Sequence, residues 1–96
     1  MSRKTVLSKL KRNIRVVRRR FAVKGLAVFG SVARDEAKRK SDVDVLVEFK
    51  EPVGLFEFMA LENYLSDLLG VKVDLVSKKA LKPHIGKRIL EEVIMI

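Results

Sequence analysis

Apolar residues near the start of the chain recur at intervals of three and four positions among basic residues. They are Leu7, Leu10, Ile14, Val17 and Phe21. On a helix, this spacing aligns the apolar side chains along one face. It therefore predicts an amphipathic helix over about residues 5–22, with Ser2 or Thr5 as its N-cap.

Three later segments have the length and residue types of β-strands. The first is the apolar run 26–29, which stops at Gly30-Ser31. The second, 42–49, has Val43, Val45, Val47 and Phe49 on one face and Asp42, Asp44, Leu46 and Glu48 on the other. The third alternates Val71, Val73 and Leu75 with Lys72, Asp74 and Val76. The two alternating segments each have one face suited to a core.

Further helices are predicted between and after these strands. Residues 33–38 suit a short helix, which is followed by a turn over 38–41. A longer helical stripe ends at Gly70 and consists of Phe56, Met59, Ala60, Tyr64, Leu65 and Leu68. Pro83 is expected to interrupt a helix, and a last helix is expected over about residues 85–93.

The length of the chain limits its organisation. With 96 residues and 48% apolar content, it can form one core and is too short to divide further. We expect a single α/β (α+β) domain over residues 1–96, with a small mixed β-sheet flanked by helices, a basic N-terminal helix within 1–24 and the core in 25–96. The apolar tail 93–96 is expected to dock into this core or into a subunit interface, so a homo-oligomer is one expectation.

Positive charge is concentrated at the N-terminal end. The net charge is +9, and residues 1–34 carry eleven Lys and Arg with no acid. Such a block suits an acidic partner protein, a solvated helix face or RNA. We favour them in that order, because base stacking in RNA binding needs aromatic side chains and Phe21 is the only aromatic residue among the first 28.

The absence of cysteine indicates the redox environment in which the protein is expected to work. Without cysteine, the chain has neither disulfides nor a thiolate metal site, and a reducing, cytoplasmic environment is expected. No apolar run approaches the roughly 20 residues of a membrane helix, so no membrane association is expected.

Asp42 and Asp44 are the first candidates for chemistry. Because side chains alternate along a strand, these two carboxylates share one face, about 6–7 Å apart along the backbone. Two like charges at that spacing repel unless a positive group lies between them. Hard divalent cations prefer oxygen ligands, and Mg²⁺ commonly takes one or two protein carboxylates together with substrate phosphate oxygens. The pair therefore predicts half of a nucleotide site.

Gly30-Ser31 is the candidate for the phosphate half. It follows a strand and opens a predicted helix, so backbone N–H groups there would face an anion. Ten residues separate Ser31 from Asp42, enough for a short helix and turn that bring the second strand beside the first. Asp74, an acid between Val73 and Leu75, is the candidate third carboxylate; the alternative is an ion pair with Lys72 or Lys78.

The strings FGSVAR and SDVDVLVEF, followed by a single acid in a later strand, resemble the signature of the DNA polymerase beta-like nucleotidyltransferase superfamily. The small size and the C-terminal string VDLVSKKALKPHIGKRILEEVIMI are similar to the minimal nucleotidyltransferases in particular. The resemblance covers about residues 24–96. It implies the polymerase beta-like fold, ATP as the nucleotide donor and Mg²⁺ as the cofactor.

The resemblance also implies roles for individual residues. Gly30 and Ser31 would hold the β- and γ-phosphates. Asp42 and Asp44 would ligate Mg²⁺, and Asp74 would complete the catalytic and metal-binding carboxylates. Arg34 and Ser41 stand at positions that the family often fills with these residues, where they support the phosphates and the turn; for Arg34, an ion pair with Asp35, Glu36 or a partner is equally open. At Asp35 the chain departs from the family, which commonly has Gly there.

Family members are commonly encoded beside a HEPN protein, often an RNase toxin, and act as its antitoxin by transferring AMP to one of its tyrosines. The resemblance therefore implies a HEPN-type toxin as the protein partner and substrate. Two alternatives stay open: an antitoxin that neutralises by binding alone, and an RNA-binding or RNA-modifying nucleotidyltransferase. Nucleic acid is not the expected partner, and His84, the only histidine, is given no role.

Overall fold

The computed structural model describes residues 2–38 and 41–96. The helices are α1 (Arg3–Arg20), α2 (Gly30–Ala33), α3 (Leu55–Leu69) and α4 (Pro83–Glu92). The strands are β1 (Val23–Phe29), β2 (Val43–Phe49), β3 (Val73–Ser77) and β4 (Ile94–Met95), and a single 3-10 turn covers Lys78–Ala80. Within this part of the chain, no helix is both long enough and apolar enough to cross a membrane.

The four strands form one mixed sheet in the order β3-β2-β1-β4. Strand β1 pairs antiparallel with both β2 and β4, whereas β2 pairs in parallel with β3. The parallel pair is connected through α3, as parallel strands require a crossover connection. The prediction of a small mixed sheet flanked by helices is confirmed.

The main core lies between one face of the sheet and helices α1 and α3. The fully buried side chains contributed by these helices are Val6, Leu10, Val17, Leu61, Leu65 and Leu69. They pack against the inward residues of β2, which are Val43, Val45 and Val47. The alternation predicted for β2 is therefore correct, and it leaves Asp42, Asp44 and Glu48 on the opposite face.

Helix α4 covers part of that opposite face. Leu46 packs there with Ala27 and Phe29 of β1, and Ile89 of α4 packs against them. The apolar tail extends this packing, because Val93 joins the same cluster while Ile94 and Ile96 pack against the main core. Docking of the tail into the core is confirmed, and it takes the form of strand β4.

The short second helix is displaced from its predicted position. It covers Gly30–Ala33 rather than 33–38. The helix begins directly where β1 ends, and Asp35 with φ 59° leaves the right-handed helical region soon after it. The predicted turn over 38–41 includes residues 39 and 40, which lie outside the described residues. At its two ends, Ser41 N–H donates to the Lys38 carbonyl at 3.0 Å.

Two further predictions about helices were wrong. Pro83 does not interrupt a helix but begins α4, because the first helical position needs no backbone donor. On α3, the predicted stripe is wrong at Phe56 and Met59, which are 84% and 46% exposed, but correct at Leu65, which is buried together with Leu61 and Leu69. This helix is apolar on more than one side, so spacing alone does not identify the face that packs. The N-cap prediction holds, since Thr5 N–H donates to Ser2 Oγ at 3.2 Å.

The burial of one face of α3 predicts how substitutions on this helix change the free energy of unfolding. Leu65→Ala is expected to lower the free energy of unfolding by about 2–5 kcal/mol, because a fully buried leucine leaves a cavity. Met59→Ala on the same helix is the matched control and should change it by about 0.5 kcal/mol or less. Urea unfolding followed by circular dichroism measures both values; equal losses would contradict this assignment of the buried face.

Candidate active site

The pairing of β1 with β2 brings the Gly-Ser turn beside the acidic strand. Phe29, the last residue of β1, lies opposite Asp44 in the antiparallel register. Gly30 follows with φ 72°, a left-handed conformation that strains any residue with a side chain. A Cβ atom at Gly30 would also collide with the Asp44 carboxylate. Glycine is therefore required here for two separate reasons.

The pairing of β2 with β3 brings the third carboxylate to the same place. Asp44 and Asp74 are partners in the parallel register. Asp42 precedes β2 by one residue, two positions from Asp44, so its side chain emerges on the same face of the sheet. The structure thus places Asp44 against Gly30, with Asp74 beside it in the sheet and Asp42 on the same face.

The cluster is electrostatically unfavourable as it stands. Burial raises the pKa of the Asp44 carboxyl, and the negative charges of Asp74 and then Asp42 raise it further. Arg34 partly offsets this effect. Asp44 therefore occupies an environment that disfavours its own charge, which is the condition that a bound cation would relieve.

Lys72 is a positive group already present at this cluster. Its Nζ lies 3.7 Å from Asp74 Oδ1 and 4.0 Å from Asp42 Oδ2. The ion pair between Asp74 and Lys72, considered from the sequence as an alternative role, is therefore present. The lysine side chain is 72% exposed, so the pair is screened by solvent and contributes little to stability. Lys78 pairs instead with Glu48, at 3.9 Å.

The donor set suits Mg²⁺. Across residues 2–38 and 41–96, no three His, Cys, Asp or Glu side chains already converge into a group that could hold a metal ion. The acids at this edge nevertheless supply only oxygen donors, and burial, followed by the charges of Asp74 and Asp42, raises the pKa of Asp44. Hard oxygen ligands with excess negative charge are what Mg²⁺ takes in proteins. Asp42, Asp44 and Asp74 are the residues that would hold it.

Glu92 was missed by the sequence analysis. Gly30 N–H donates to Glu92 Oε1 at 3.1 Å, and Arg34 Nη1 donates to Glu92 Oε2 at 3.0 Å. The bond from Arg34, and then that from Gly30, lowers the pKa of Glu92. Arg34 also donates through Nε to Glu36 at 3.1 Å, so the predicted ion pair with Glu36 is present. Only the pairing of β4 with β1 could have revealed Glu92, which is 62 residues from Gly30.

The remaining predicted residues lie around the turn. Ser31 is half-buried, and its carbonyl accepts from Glu36 N–H at 2.8 Å. Ser41 Oγ accepts from Lys38 N–H at 2.8 Å and so supports the turn before β2. Asp35 takes the left-handed conformation that Gly adopts freely, and Asp is among the residues that tolerate it. His84 is exposed on α4, away from these contacts.

The fold and the site together define a small α/β domain that carries three carboxylates and a Gly-Ser turn at one end of a mixed sheet. A family model described as a nucleotidyltransferase domain matches residues 10–96. The protein adenylyltransferase MntA of Thermococcus cleftensis is 51% identical over 80 residues, which cover 83% of this chain and 81% of the relative. The chain therefore belongs to the nucleotidyltransferase domain family. It is a nucleotidyltransferase enzyme.

Solved structures share this fold. A provisionally named minimal nucleotidyltransferase has a TM-score of 0.84 at 37% identity and covers 98% of this chain and 95% of its own. A toxin–antitoxin structure with AMP-PNP has a TM-score of 0.70 at 19% identity, over 99% and 72% of the two chains. A complex of tri-AMPylated Shewanella oneidensis HEPN toxin with MNT antitoxin has a TM-score of 0.69 at 16% identity, over 94% and 70%. The last two likenesses show the fold alone.

The raised pKa of Asp44 predicts how stability depends on pH. Since its folded pKa lies above the ordinary value of about 3.9, the folded protein binds the proton more tightly than the unfolded chain does. The free energy of unfolding that Asp44 contributes is therefore lost as the pH rises through the pKa of its folded state, and it stays lost at neutral pH. Asp44→Asn is accordingly expected to raise Tm at pH 7, and to raise it less at pH 4, in scanning calorimetry without divalent ions.

Asp67→Asn is the matched control for this measurement. Asp67 is exposed on α3, and the substitution removes the same charge away from the cluster. Its Tm should follow the wild type at both pH values. A lower Tm for Asp44→Asn than for the wild type at pH 7 would contradict the unfavourable electrostatics described for this site.

Proposed function

We propose that this protein is a Mg²⁺-dependent protein adenylyltransferase that transfers AMP from ATP to a hydroxyl, namely a tyrosine, of a HEPN-type toxin and thereby acts as its antitoxin. The observation that carries the proposal is the alignment of Asp44 with Asp74 beside Gly30, which brings carboxylates and the Gly-Ser turn to one edge of the sheet. The adenylyltransferase relative at 51% identity supports the choice of AMP as the transferred group.

The residues divide into two groups in this proposal. Gly30 and Ser31 hold the β- and γ-phosphates of ATP, with Arg34 close to the phosphates and Ser41 fixing the turn that leads into β2. Asp42, Asp44 and Asp74 form the acidic group that holds Mg²⁺. When bound, the ion neutralises charge on the triphosphate and on the leaving group.

The proposed chemical step is an in-line displacement at the α-phosphorus. The hydroxyl oxygen of the acceptor forms a bond to the α-phosphorus as the bond from that phosphorus to the bridging oxygen of the β-phosphate breaks. Pyrophosphate leaves with the bridging oxygen. Asp74 orients the hydroxyl and accepts its proton, a role for which its position next to Asp44 is suitable.

A protein acceptor fits the surface of this domain. Helix α3 exposes Leu55 by 70% and Phe56 by 84%, with Met59 one turn further along. Apolar side chains grouped in this way are typical of surfaces that meet another protein. The toxin–antitoxin structures with this fold support a HEPN protein as the partner. We place the reaction in the cytoplasm, the setting predicted from the absence of cysteine.

A labelling experiment tests the proposal. The purified protein is incubated with α-labelled ATP, Mg²⁺ and the protein encoded by the neighbouring gene, which the proposal expects to be a HEPN-type toxin, and label on protein is quantified after electrophoresis. Asp44→Asn is expected to lower the initial rate by about a hundredfold or more, because a metal ligand stabilises charge in the transition state by several kcal/mol. Asp67→Asn should label at the wild-type rate.

Three outcomes are informative. Label that requires Asp44 and maps to a tyrosine of the HEPN protein supports the full proposal. Label that is equal in Asp44→Asn and in the wild type would contradict the assignment of the site. A tight complex that neutralises the toxin without label, and that Asp44→Asn still forms, would favour neutralisation by binding alone.

A further inference from the structure

One carboxylate occupies two of the donors assigned to phosphate. Gly30 N–H and the Arg34 guanidinium both donate to Glu92, at 3.1 Å and 3.0 Å. Each donor engages a different oxygen of the same carboxylate. Glu92 is therefore held at two points, in the manner in which a phosphate group is held by a backbone N–H and an arginine.

The position of Glu92 follows from the strand pairing. In the antiparallel register of β1 with β4, Val28 faces Ile94. Gly30 comes two residues after Val28, and Glu92 comes two residues before Ile94, so continuing this register places Gly30 opposite Glu92. Helix α4 ends at Glu92, and Val93 packs beneath the sheet, so the side chain is fixed at the mouth of the Gly-Ser turn. The contact is a product of the fold rather than of a free surface side chain.

Carboxylate and phosphate oxygens accept hydrogen bonds from the same kinds of donor. Both are anionic acceptors, and an arginine fork binds either of them. A single backbone N–H is well aligned with only one acceptor at a time, and two anions at this distance repel each other. A phosphate oxygen can bind Gly30 N–H only after the carboxylate has left it.

We infer that Glu92 is an affinity-determining residue of the nucleotide site, because its carboxylate competes with the triphosphate of ATP for Gly30 N–H and Arg34. The inference rests on the proposed function, in which these groups bind phosphate. It adds a residue of α4 to the site and makes ATP binding an exchange of one anion for another.

The structure offers the displaced side chain a second partner. Arg88 lies one turn earlier on α4, at the i and i+4 spacing that allows side chains on a helix to pair. Arg34, Arg88 and Glu92 line the same cavity of about 430 Å³, so there is space between them for the carboxylate to turn. Moving from Arg34 to Arg88 keeps the charge of Glu92 paired while freeing the donors.

Calorimetric titration of the purified chain with ATP and Mg²⁺ tests the inference. Glu92→Gln is expected to bind ATP about tenfold more tightly than the wild type, because the amide has the same shape but lacks the competing charge. Asp67→Asn is the matched control: it removes one negative charge from an exposed residue of α3, away from this cavity, and should leave the affinity unchanged. An unchanged or weaker affinity in Glu92→Gln overturns the inference.

Thermal unfolding separates competition from a structural role. Without nucleotide, Glu92→Gln should have a lower Tm than the wild type, because it loses the ion pair with Arg34. With saturating ATP, its Tm should rise by more than that of the wild type, since tighter binding stabilises more. A lower Tm with no larger rise on ATP would mean that Glu92 only supports the fold. If Glu92→Gln does not fold, Glu92→Asp replaces it. Its shorter side chain keeps the charge but reaches the donors less well, so it should bind ATP more tightly than the wild type, by less than about tenfold.

The outcomes distinguish this inference from the proposed function. If the wild type binds ATP and transfers AMP while Glu92→Gln binds no more tightly, the inference alone fails. If neither the wild type nor any variant binds ATP in the presence of Mg²⁺, both fail together.

Discussion

The antiparallel pairing of β1 with β2 is the constraint on which the site depends. It places the last residue of β1 opposite Asp44, so that the turn beginning at Gly30 lies directly against the acidic face of β2. The parallel pairing of β2 with β3 then adds Asp74 in register. A slip of one residue in either pairing would move every side chain of the slipped strand to the other face and dismantle the cluster. The buried valines of β2 pack against the helices and so hold this register. The core therefore also positions the site.

The acidic cluster lowers the stability of the fold, although it is the part of the protein proposed to bind the metal ion. Burial and the neighbouring acids disfavour the charge of Asp44, and the exposed Lys72 offsets little of that cost. A cation bound at the same place would offset this repulsion. On the other side of the turn, Glu92 accepts hydrogen bonds from Gly30 N–H and Arg34. Each half of the site therefore contains a charged side chain of the protein, namely Lys72 near the acids and Glu92 at the groups proposed to bind phosphate.

Much of the fold follows from the sequence because its signals are local. Alternation over 42–49 identified β2 and the face that carries Asp42 and Asp44, and the resemblance to the nucleotidyltransferases rests on residues close together in sequence. The packing face of α3 could not be predicted in this way, since Phe56 and Leu61 are equally apolar and only tertiary contacts decide which is buried. Glu92 could not be predicted because its contact depends on a pairing between strands far apart in the chain.

The central claim is that this edge of the sheet binds ATP and Mg²⁺ together. A crystal structure of the protein with AMP-PNP and Mg²⁺ tests it most directly. We expect phosphate oxygens at Gly30 and Ser31, a metal ion held by Asp42 and Asp44, and Glu92 turned away from Gly30. Nucleotide bound elsewhere on the protein, with these carboxylates still unliganded, would contradict it.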